Sequence, residues 1–290
     1  MTLSIQSFFD PDSATFSYLV DDGQGRCAVV DPVVGFDPAA GRVDRTPAER
    51  IGDTIEARGL QLDWLLETHA HADHLSGAPL LQKRLGGTLA IGSGIRQVQQ
   101  VFRGIFNLDD PQAAVSPFGR LFEDGETFFI GSLRAEVMHL PGHTPADVAY
   151  RVFDPQGASD AVFVGDTVFA PDVGTARCDF PGGDAHQLYR SIRRLLALPP
   201  QTRLFLCHDY PPAGREVCPV TTVAEQRAAN VHMHEGVSEE AFVARRQARD
   251  ATLAMPRLML PSIQVNIHAG QLPAQESNGT VYLKIPIDRF

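Results

Sequence analysis

Histidines and carboxylates gather in three short clusters of this chain, at a density that is typical of metal-binding proteins. The first cluster, residues 68–74, reads Thr-His-Ala-His-Ala-Asp-His. The second, residues 141–144, reads Pro-Gly-His-Thr, and the third, residues 165–167, reads Gly-Asp-Thr. A further histidine, His208, precedes Asp209. Because neutral imidazoles and carboxylates are the ligands of ions such as zinc and iron, these clusters predict a metal site with catalytic chemistry.

Strands that end just before the clusters are needed to bring these side chains together. The apolar run 62–68 predicts a strand that leads into the first cluster, followed by a helix over residues 75–85. Runs at 133–140, 161–165 and 204–207 predict strands before the other candidate ligands. Ligands at the ends of such strands can converge on one cleft. The order of strands and helices predicts an α/β fold in which two sheets pack together with helices outside.

Several helix starts are marked by residues that can accept backbone hydrogen bonds. Threonine followed three residues later by glutamate is the capping-box pattern, and it predicts helices that begin at Thr46 and Thr222. Asp184 and Ser238 predict two further helix starts. Near the C terminus, residues 281–285 read Val-Tyr-Leu-Lys-Ile and predict a final strand.

Composition indicates a globular protein and argues against a membrane protein or a nucleic-acid-binding protein. The chain has 290 residues, of which 43% are hydrophobic and 21% are charged, and these proportions are ordinary for a globular protein. The net charge of −10 argues against binding to nucleic acid or to an anionic membrane. No apolar run reaches the length of about 18 residues that a membrane span needs.

Cysteine usage and chain length lead to expectations about location and organisation. The four cysteines show no Cys-x-x-Cys spacing, and the sequence opens without a basic and apolar leader, so we expect free thiols and a cytoplasmic location. We expect residues 1–250 to form the catalytic domain and residues 251–290 to form a C-terminal extension packed on it. We also expect a homodimer, because twofold dimers are the commonest assembly of soluble proteins.

The candidate ligands allow two arrangements of metal. Seven side chains are candidates: His69, His71, Asp73, His74, His143, Asp166 and His208. In one arrangement all seven bind two ions, as in hydrolases that activate water with a metal pair. In the other, His69, His143 and Asp166 alone bind one Fe(II) as a facial triad, which leaves open positions for a thiolate substrate and O2. The remaining four would then orient rings or water from outside the coordination shell. Spacing leaves both arrangements open.

The order of these clusters resembles the metallo-β-lactamase superfamily over about residues 5–235, and within it the persulfide dioxygenases, which also resemble glyoxalase II enzymes. The likeness rests on Gly-Thr-Ala-Arg-Cys-Asp-Phe at 174–180, Leu-Tyr-Arg-Ser at 188–191, Cys-His-Asp-Tyr at 207–210 and Thr-Thr-Val-Ala-Glu-Gln-Arg-Ala-Ala-Asn at 221–230. The resemblance implies an αββα sandwich with one mononuclear non-haem Fe(II) per chain. It implies His69, His143 and Asp166 as the iron ligands, and oxidation of glutathione persulfide by O2 to sulfite and glutathione.

The expected substrate, glutathione persulfide, carries two carboxylates, and these call for cationic partners on the protein. Arg177 and Arg215 are candidates because a guanidinium pairs with a carboxylate through two hydrogen bonds. Tyr210 is a candidate hydrogen-bond donor. The simpler interpretation of Arg177 is a structural ion pair with Asp179 or Asp172, and the simpler interpretation of Arg215 is a solvated loop charge.

The main alternative function is a glyoxalase II-like hydroxyacylglutathione hydrolase that cleaves a thioester at a dinuclear metal site; a lactonase or a nuclease of the same superfamily is a further alternative. The thioester hydrolase would use all seven candidate ligands. Glyoxalase II enzymes end in a helical domain, whereas this chain becomes proline-rich and irregular after about residue 249. Residues 169–174 are also a longer segment than mitochondrial-type persulfide dioxygenases have. These departures favour a bacterial subgroup of the dioxygenases.

Overall fold

Two six-stranded sheets form the middle of the molecule in the computed structural model, which describes residues 2–108, 116–157 and 159–289. In spatial order, the first sheet contains β1 (Ser4–Asp10), β2 (Thr15–Asp21), β3 (Arg26–Val30), β6 (Gln61–Leu66), β8 (Thr88–Gly92) and β9 (Arg120–Phe122). The second contains β10 (Thr127–Ile130), β11 (Leu133–His139), β12 (Val148–Val152), β13 (Ala161–Phe163), β14 (Arg203–Phe205) and β15 (Val220–Thr222). A small third sheet contains β5 (Arg42–Asp44), β4 (Val33–Asp37) and β7 (Leu75–Ser76).

Both large sheets are mixed. In the first, β1, β2 and β3 pair antiparallel, whereas β3, β6, β8 and β9 run parallel. In the second, only β13 and β14 pair in parallel among the described strands. Parallel neighbours need a crossover, and the connecting segments carry the helices that cover the sheets.

Helices cover the outer face of each sheet. They are α1 (Thr46–Ala57), α2 (Ala78–Leu85), α3 (Ile95–Phe106), α4 (Ala185–Leu195), α5 (Val223–Ala229), α6 (Glu239–Asp250) and α7 (Met259–Asn266). The first three and α7 pack on the first sheet, and α4, α5 and α6 pack on the second. The predicted αββα sandwich is therefore confirmed. No helix in the described ranges combines the length and the apolar character that crossing a bilayer requires.

Strand β2 shows how the layers form. Phe16, Tyr18 and Val20 point into the apolar layer between the two sheets, and Leu19 points into the layer beneath the helices of the first sheet. Because both faces of the strand are covered, every residue of β2 is buried. Burial of each large apolar side chain contributes about 1.5–3 kcal/mol, so a strand buried on both faces anchors the sandwich strongly.

Three of the predicted helix starts are confirmed. Thr222 caps α5 in a complete capping box with Glu225. The Asp184 carboxylate accepts hydrogen bonds from two backbone amides of α4, and the Ser238 hydroxyl accepts one from Ala241 of α6. The capping box predicted at Thr46 is wrong. Thr46 is already helical, and its amide donates to Asp44 Oδ1 at 2.9 Å, so the side-chain bond at the start of the helix comes from Asp44, two residues earlier.

Two other predicted elements differ in the structure. The helix after the first cluster begins at Ala78, because residues 75–76 form strand β7 against β4. The predicted strand at 281–285 is wrong, since no strand lies there in the described tail. The backbone amide and carbonyl of Lys284 bond the side chain of Gln264 in α7 at 2.8 and 2.7 Å, in place of a neighbouring strand. The division into a catalytic domain at residues 1–250 and a C-terminal extension at residues 251–290 stays a prediction.

Candidate metal centre

The seven candidate ligands meet at one end of the sandwich. The first cluster follows β6, His143 follows β11, Asp166 follows β13 and His208 follows β14. The five histidines of the set are buried, as is Asp166. Strand ends therefore deliver side chains from positions 69 to 208 to a single buried location.

His69, His143 and Asp166, the three ligands of the facial-triad arrangement, lie close together in the structure. One donor atom from each side chain lies within 4.8 Å of the other two. His143 Nε2 is 3.6 Å from Asp166 Oδ2, and the rings of His69 and His143 meet edge to face with centroids 5.3 Å apart. These separations exceed a hydrogen bond and leave room for an ion between the donors.

Hydrogen bonds behind these two rings fix which nitrogen faces the centre. His143 Nδ1 lies 2.8 Å from the backbone carbonyl of Arg177, so this nitrogen carries the proton and Nε2 keeps its lone pair. Thr68 Oγ1 donates to Asp31 Oδ2 at 2.8 Å and therefore accepts from His69 Nδ1 at 3.0 Å. Both rings thus present an unprotonated Nε2, as a metal ligand must.

Asp73, His74 and His208 are the other donors of the two-ion arrangement, and donor atoms of Asp73 and His74 lie within 4.8 Å of each other and of His71. His74 Nδ1 donates to the carbonyl of Leu75 at 3.0 Å. Thr15 Oγ1 donates to Asp73 Oδ2 at 3.1 Å and accepts from His208 Nδ1 at 3.2 Å. His208 Nε2 then faces Asp73 Oδ2 at 3.6 Å, and it lies 3.3 Å from Asp166 Oδ1. A neighbour thus bonds Nδ1 of each ring, which leaves Nε2 as the nitrogen available to a metal ion.

His71 stands between two buried carboxylates that sequence reasoning missed. Its Nε2 is 3.0 Å from Asp31 Oδ1 and 3.5 Å from Glu67 Oε2. Burial alone would lower the pKa of His71, but the adjacent Asp31 carboxylate and Glu67 raise it well above its usual value. The only sequence signal for this pair is a charged residue at the end of each of two apolar strand runs, Asp31 after β3 and Glu67 after β6.

The donor set fits a metal ion. His71 Nδ1, His74 Nε2 and Asp166 Oδ1 are buried and have no hydrogen-bond partner among the described residues. Unsatisfied buried polar atoms cost about 1–3 kcal/mol each, and metal ions bound in this cluster would satisfy them. Imidazole with carboxylate is a donor set that suits zinc or iron, which agrees with both arrangements of the candidate ligands.

The turn that carries His143 is held by close packing. Gly142 has φ of +149°, and a Cβ there would lie 2.4 Å from the backbone of Leu188 in α4, so only glycine fits. Asp147 accepts from the amide and hydroxyl of Thr144 at 2.7 and 2.5 Å. Burial raises the pKa of the Asp147 carboxyl to about 7, although its hydrogen bonds oppose the rise.

A cavity of about 600 Å³ opens above the candidate ligands, within the size range of small-molecule sites. Phe169 and Phe180 give it apolar walls. Tyr210, one of the predicted substrate residues, also lines it, is 50% exposed, and stacks its ring on His208 with centroids 5.8 Å apart. The cavity therefore joins an apolar surface to a few hydrogen-bonding groups directly over the metal-binding donors.

The two predicted substrate arginines are both paired with carboxylates. Arg177 lines the cavity and makes two bonds to Asp179, at 2.6 and 2.7 Å. Arg215 makes two bonds to Asp209, at 2.7 and 2.6 Å, and one to Asp172 at 2.7 Å. Arg215 is not among the described residues that line the cavity. Their roles in substrate binding stay predictions.

A buried ion pair behind the cavity wall was not predicted. Arg246 Nε donates to Asp250 Oδ1 at 2.9 Å, and Arg246 Nη1 donates to the Thr175 carbonyl at 2.9 Å. Asp250 Oδ2 accepts from the amide of Cys178 at 3.0 Å. The pair thus holds the segment whose Arg177 carbonyl orients His143. The i,i+4 spacing of Arg246 and Asp250 was its signal in the sequence.

Comparison with known proteins agrees with this geometry. Residues 10–208 match the family model of the metallo-beta-lactamase superfamily. The chain is 53% identical to a probable metallo-hydrolase of Burkholderia pseudomallei over 99% of both chains. It is 46% identical to a beta-lactamase hydrolase-like protein of Xylella fastidiosa, of which it spans 65%.

Two further similarities point to persulfide chemistry in related proteins. The human mitochondrial persulfide dioxygenase ETHE1 is 31% identical over 78% of this chain and 74% of its own length. The crystal structure of ETHE1 from Myxococcus xanthus superposes with a TM-score of 0.72 and 26% sequence identity, over 92% of this chain and all of the other.

Proposed function

The chain belongs to the metallo-beta-lactamase superfamily, and we propose that it is a persulfide dioxygenase, an oxidoreductase that converts glutathione persulfide and O2 to sulfite and glutathione. One Fe(II) per chain would be held by His69, His143 and Asp166. The observation that carries the proposal is the convergence of these two imidazoles and one carboxylate beneath the cavity, with both rings fixed in the ligand tautomer. Likeness to persulfide dioxygenases over 78% of the chain supports it.

The proposed reaction balances with one water. One persulfide, one O2 and one water give one thiol, one sulfite and two protons. The terminal sulfur is oxidised and O2 is reduced, and the bond between the two sulfurs is broken. His69, His143 and Asp166 would hold the Fe(II), which would supply the redox chemistry between the sulfur anion and O2. The protein supplies geometry and charge around that chemistry.

The residues around the cavity would bind and orient the substrate. Phe169 and Phe180 present apolar surface beside the persulfide sulfurs, which keeps bulk water from the reacting end. Arg177 and Tyr210 stand at the wall as donors for the glutathione carboxylates. Arg215 bonds Asp209, which directly precedes Tyr210, so we propose that it fixes the loop that presents the tyrosine.

In this proposal the remaining four candidate ligands act from outside the coordination shell. The His71 ring packs against His69 with centroids 4.0 Å apart, and it is itself held by Asp31. His208 and Asp73 line the cavity beside Asp166. They can hold water or a proton at the entrance to the centre.

A second candidate function is a glyoxalase II-like hydroxyacylglutathione hydrolase with two metal ions. The observation that favours it is that hydrogen bonds hold Asp73 and engage Nδ1 of His74 and of His208, which leaves Nε2 of each ring for a second ion. Similarity to a probable metallo-hydrolase also supports it. In such an enzyme a metal pair activates water for attack on the thioester.

O2 uptake separates the two functions. Anaerobically purified, iron-loaded protein would be mixed with glutathione persulfide in an oxygen electrode, with sulfite measured in parallel. We expect uptake with one sulfite per O2, and metal analysis near one iron per chain. No uptake with iron bound, together with hydrolysis of S-lactoylglutathione and two metals per chain, would overturn the proposal.

The expected cytoplasmic homodimer belongs to the same proposal, and light scattering of the purified protein tests the dimer.

A further inference from the structure

Helix α7 reaches the metal cluster from a part of the chain beyond residues 10–208. We propose that Asn266, the last residue of α7, is a positioning residue for the metal centre, because its amide fixes the backbone of the turn that carries the first cluster. The inference rests on the metal site of the proposed function, and it does not depend on the reaction that occurs there.

Three hydrogen bonds tie Asn266 to this turn. Asn266 Nδ2 donates to the carbonyls of His71 and His74, each at 2.8 Å. Asn266 Oδ1 accepts from the amide of Ser76 at 2.9 Å. The side chain has only one possible orientation, because the two carbonyls can only accept and the amide can only donate. Asn266 is 4% exposed, so water cannot replace these bonds without rearrangement.

The same side chain also reaches the ring of His71 by a second route. Ser76, whose amide is held by Asn266, donates a short hydrogen bond from its hydroxyl to Glu67 Oε1. Glu67 Oε2 lies 3.5 Å from His71 Nε2. Asn266 therefore supports both the backbone of the turn and the carboxylate that stands behind the His71 ring.

The end of α7 is pressed against the turn. Gly270 has φ of +76°, and a Cβ there would lie 2.7 Å from Pro79 Cδ and 3.0 Å from Ser76 Cβ. Glycine thus permits a close approach that any side chain would prevent. This contact keeps Asn266 at hydrogen-bonding distance from the cluster.

Loss of the amide would leave two buried carbonyls and one buried N–H without partners. The turn can recover these bonds only by moving, and the rings of His69, His71 and His74 move with it. Groups that orient metal ligands from behind typically change metal affinity about 10- to 100-fold when they are lost. We expect a change of about 10-fold or more here.

The chain offers a matched control on the same helix. Gln264 is also a buried amide with three bonds, in which Nε2 donates to Leu260 and Lys284 carbonyls and Oε1 accepts from the Lys284 amide. These bonds hold the tail and do not touch the turn. Asn266→Asp keeps the size but cannot donate, and Asn266→Ala removes all three bonds.

Metal release gives the readout. Iron(II)-loaded protein would be mixed with a coloured iron(II) chelator, and the visible spectrum of the cobalt(II)-substituted protein would be recorded. We expect both Asn266 variants to release iron about 10-fold faster and to shift the cobalt(II) spectrum. Gln264→Ala should match wild type in both measurements, even if it lowers Tm as much as the Asn266 substitutions do.

Wild-type release rates and spectra in the Asn266 variants would overturn the inference, as would equally fast release from Gln264→Ala at the same Tm. If Asn266→Ala does not fold, Gly270→Ala provides the test, because it displaces α7 from the turn and should also speed release. These measurements use no persulfide. Normal metal retention without O2 uptake would therefore refute the dioxygenase and leave the role of Asn266 intact.

Discussion

The buried pair of Arg246 and Asp250 in α6 makes the cavity wall sensitive to the loss of one partner, because the other charge would stay buried without compensation. Their side chains are only 3% and 6% exposed, and Asp250 also accepts from the amide of Cys178 at 3.0 Å. Asp250→Ala would leave the guanidinium buried without its partner. Breaking a buried pair in this way costs about 3–5 kcal/mol, a large part of a typical unfolding free energy of about 5–15 kcal/mol.

Thermal unfolding measures this cost. At about 2 °C per kcal/mol for a chain of this size, Asp250→Ala should lower Tm by roughly 6–10 °C. The control is Arg190→Ala, which breaks the exposed pair between α4 and Glu239 of α6, whose side chains are 60% and 33% exposed and 3.2 Å apart. An exposed pair contributes less than about 1 kcal/mol, so its Tm should move little. Equal shifts in the two variants would refute the argument.

A double variant separates the lost charge from the lost contact. Arg246→Met combined with Asp250→Leu removes both charges, and replacement of a buried pair by apolar residues is often neutral or stabilising. It should recover part of the Asp250→Ala loss, although the Cys178 amide still lacks its acceptor. A double variant less stable than Asp250→Ala would show that the uncompensated charge is not the cause.

Three further predictions concern the metal, the substrate and the thiols. Asp166→Ala should reduce iron from near one per chain to near zero by metal analysis, and full occupancy would rule out the triad. Arg177→Ala should raise KM for glutathione persulfide about 5-fold with kcat unchanged, since it removes one charged contact of about 1 kcal/mol; an unchanged KM would exclude this contact. At pH 8 an alkylating reagent should modify the partly exposed Cys218 and spare Cys27, whose pKa burial raises to about 12; mass spectrometry of the folded protein decides this.

Features that depend on neighbours along the chain could be predicted from the sequence. The first cluster follows β6 directly, so the apolar run before it was enough to place its residues at a strand end. Asp184 and Thr222 cap their helices because a capping bond joins residues two or three positions apart. The αββα layers followed from the order of strands and helices, since each sheet must bury both faces.

Groups that orient the ligands could not be predicted, because their contacts join distant parts of the chain. Asp31 lies 40 residues before the histidine that it holds, and Asn266 lies 195 residues after it. A lone carboxylate or amide in an apolar segment has no local pattern that marks its partner. The prediction of a strand in the tail was wrong for a related reason. Residues 281–285 have the composition of a strand, but the backbone of Lys284 bonds the side chain of Gln264.

The candidate metal centre therefore depends on residues from both ends of the chain, although its seven candidate donors all lie between residues 69 and 208. Thr15 and Asp31 orient His208 and His71 from the N-terminal strands. The Arg246–Asp250 pair and Asn266 hold the segments that carry His143 and the first cluster from the C-terminal helices. A donor binds an ion more tightly when its position is fixed before binding, because ordering it afterwards costs conformational entropy. The identity of the donors then determines which ions can bind, and the residues on these distant helices and strands determine the affinity for the ion.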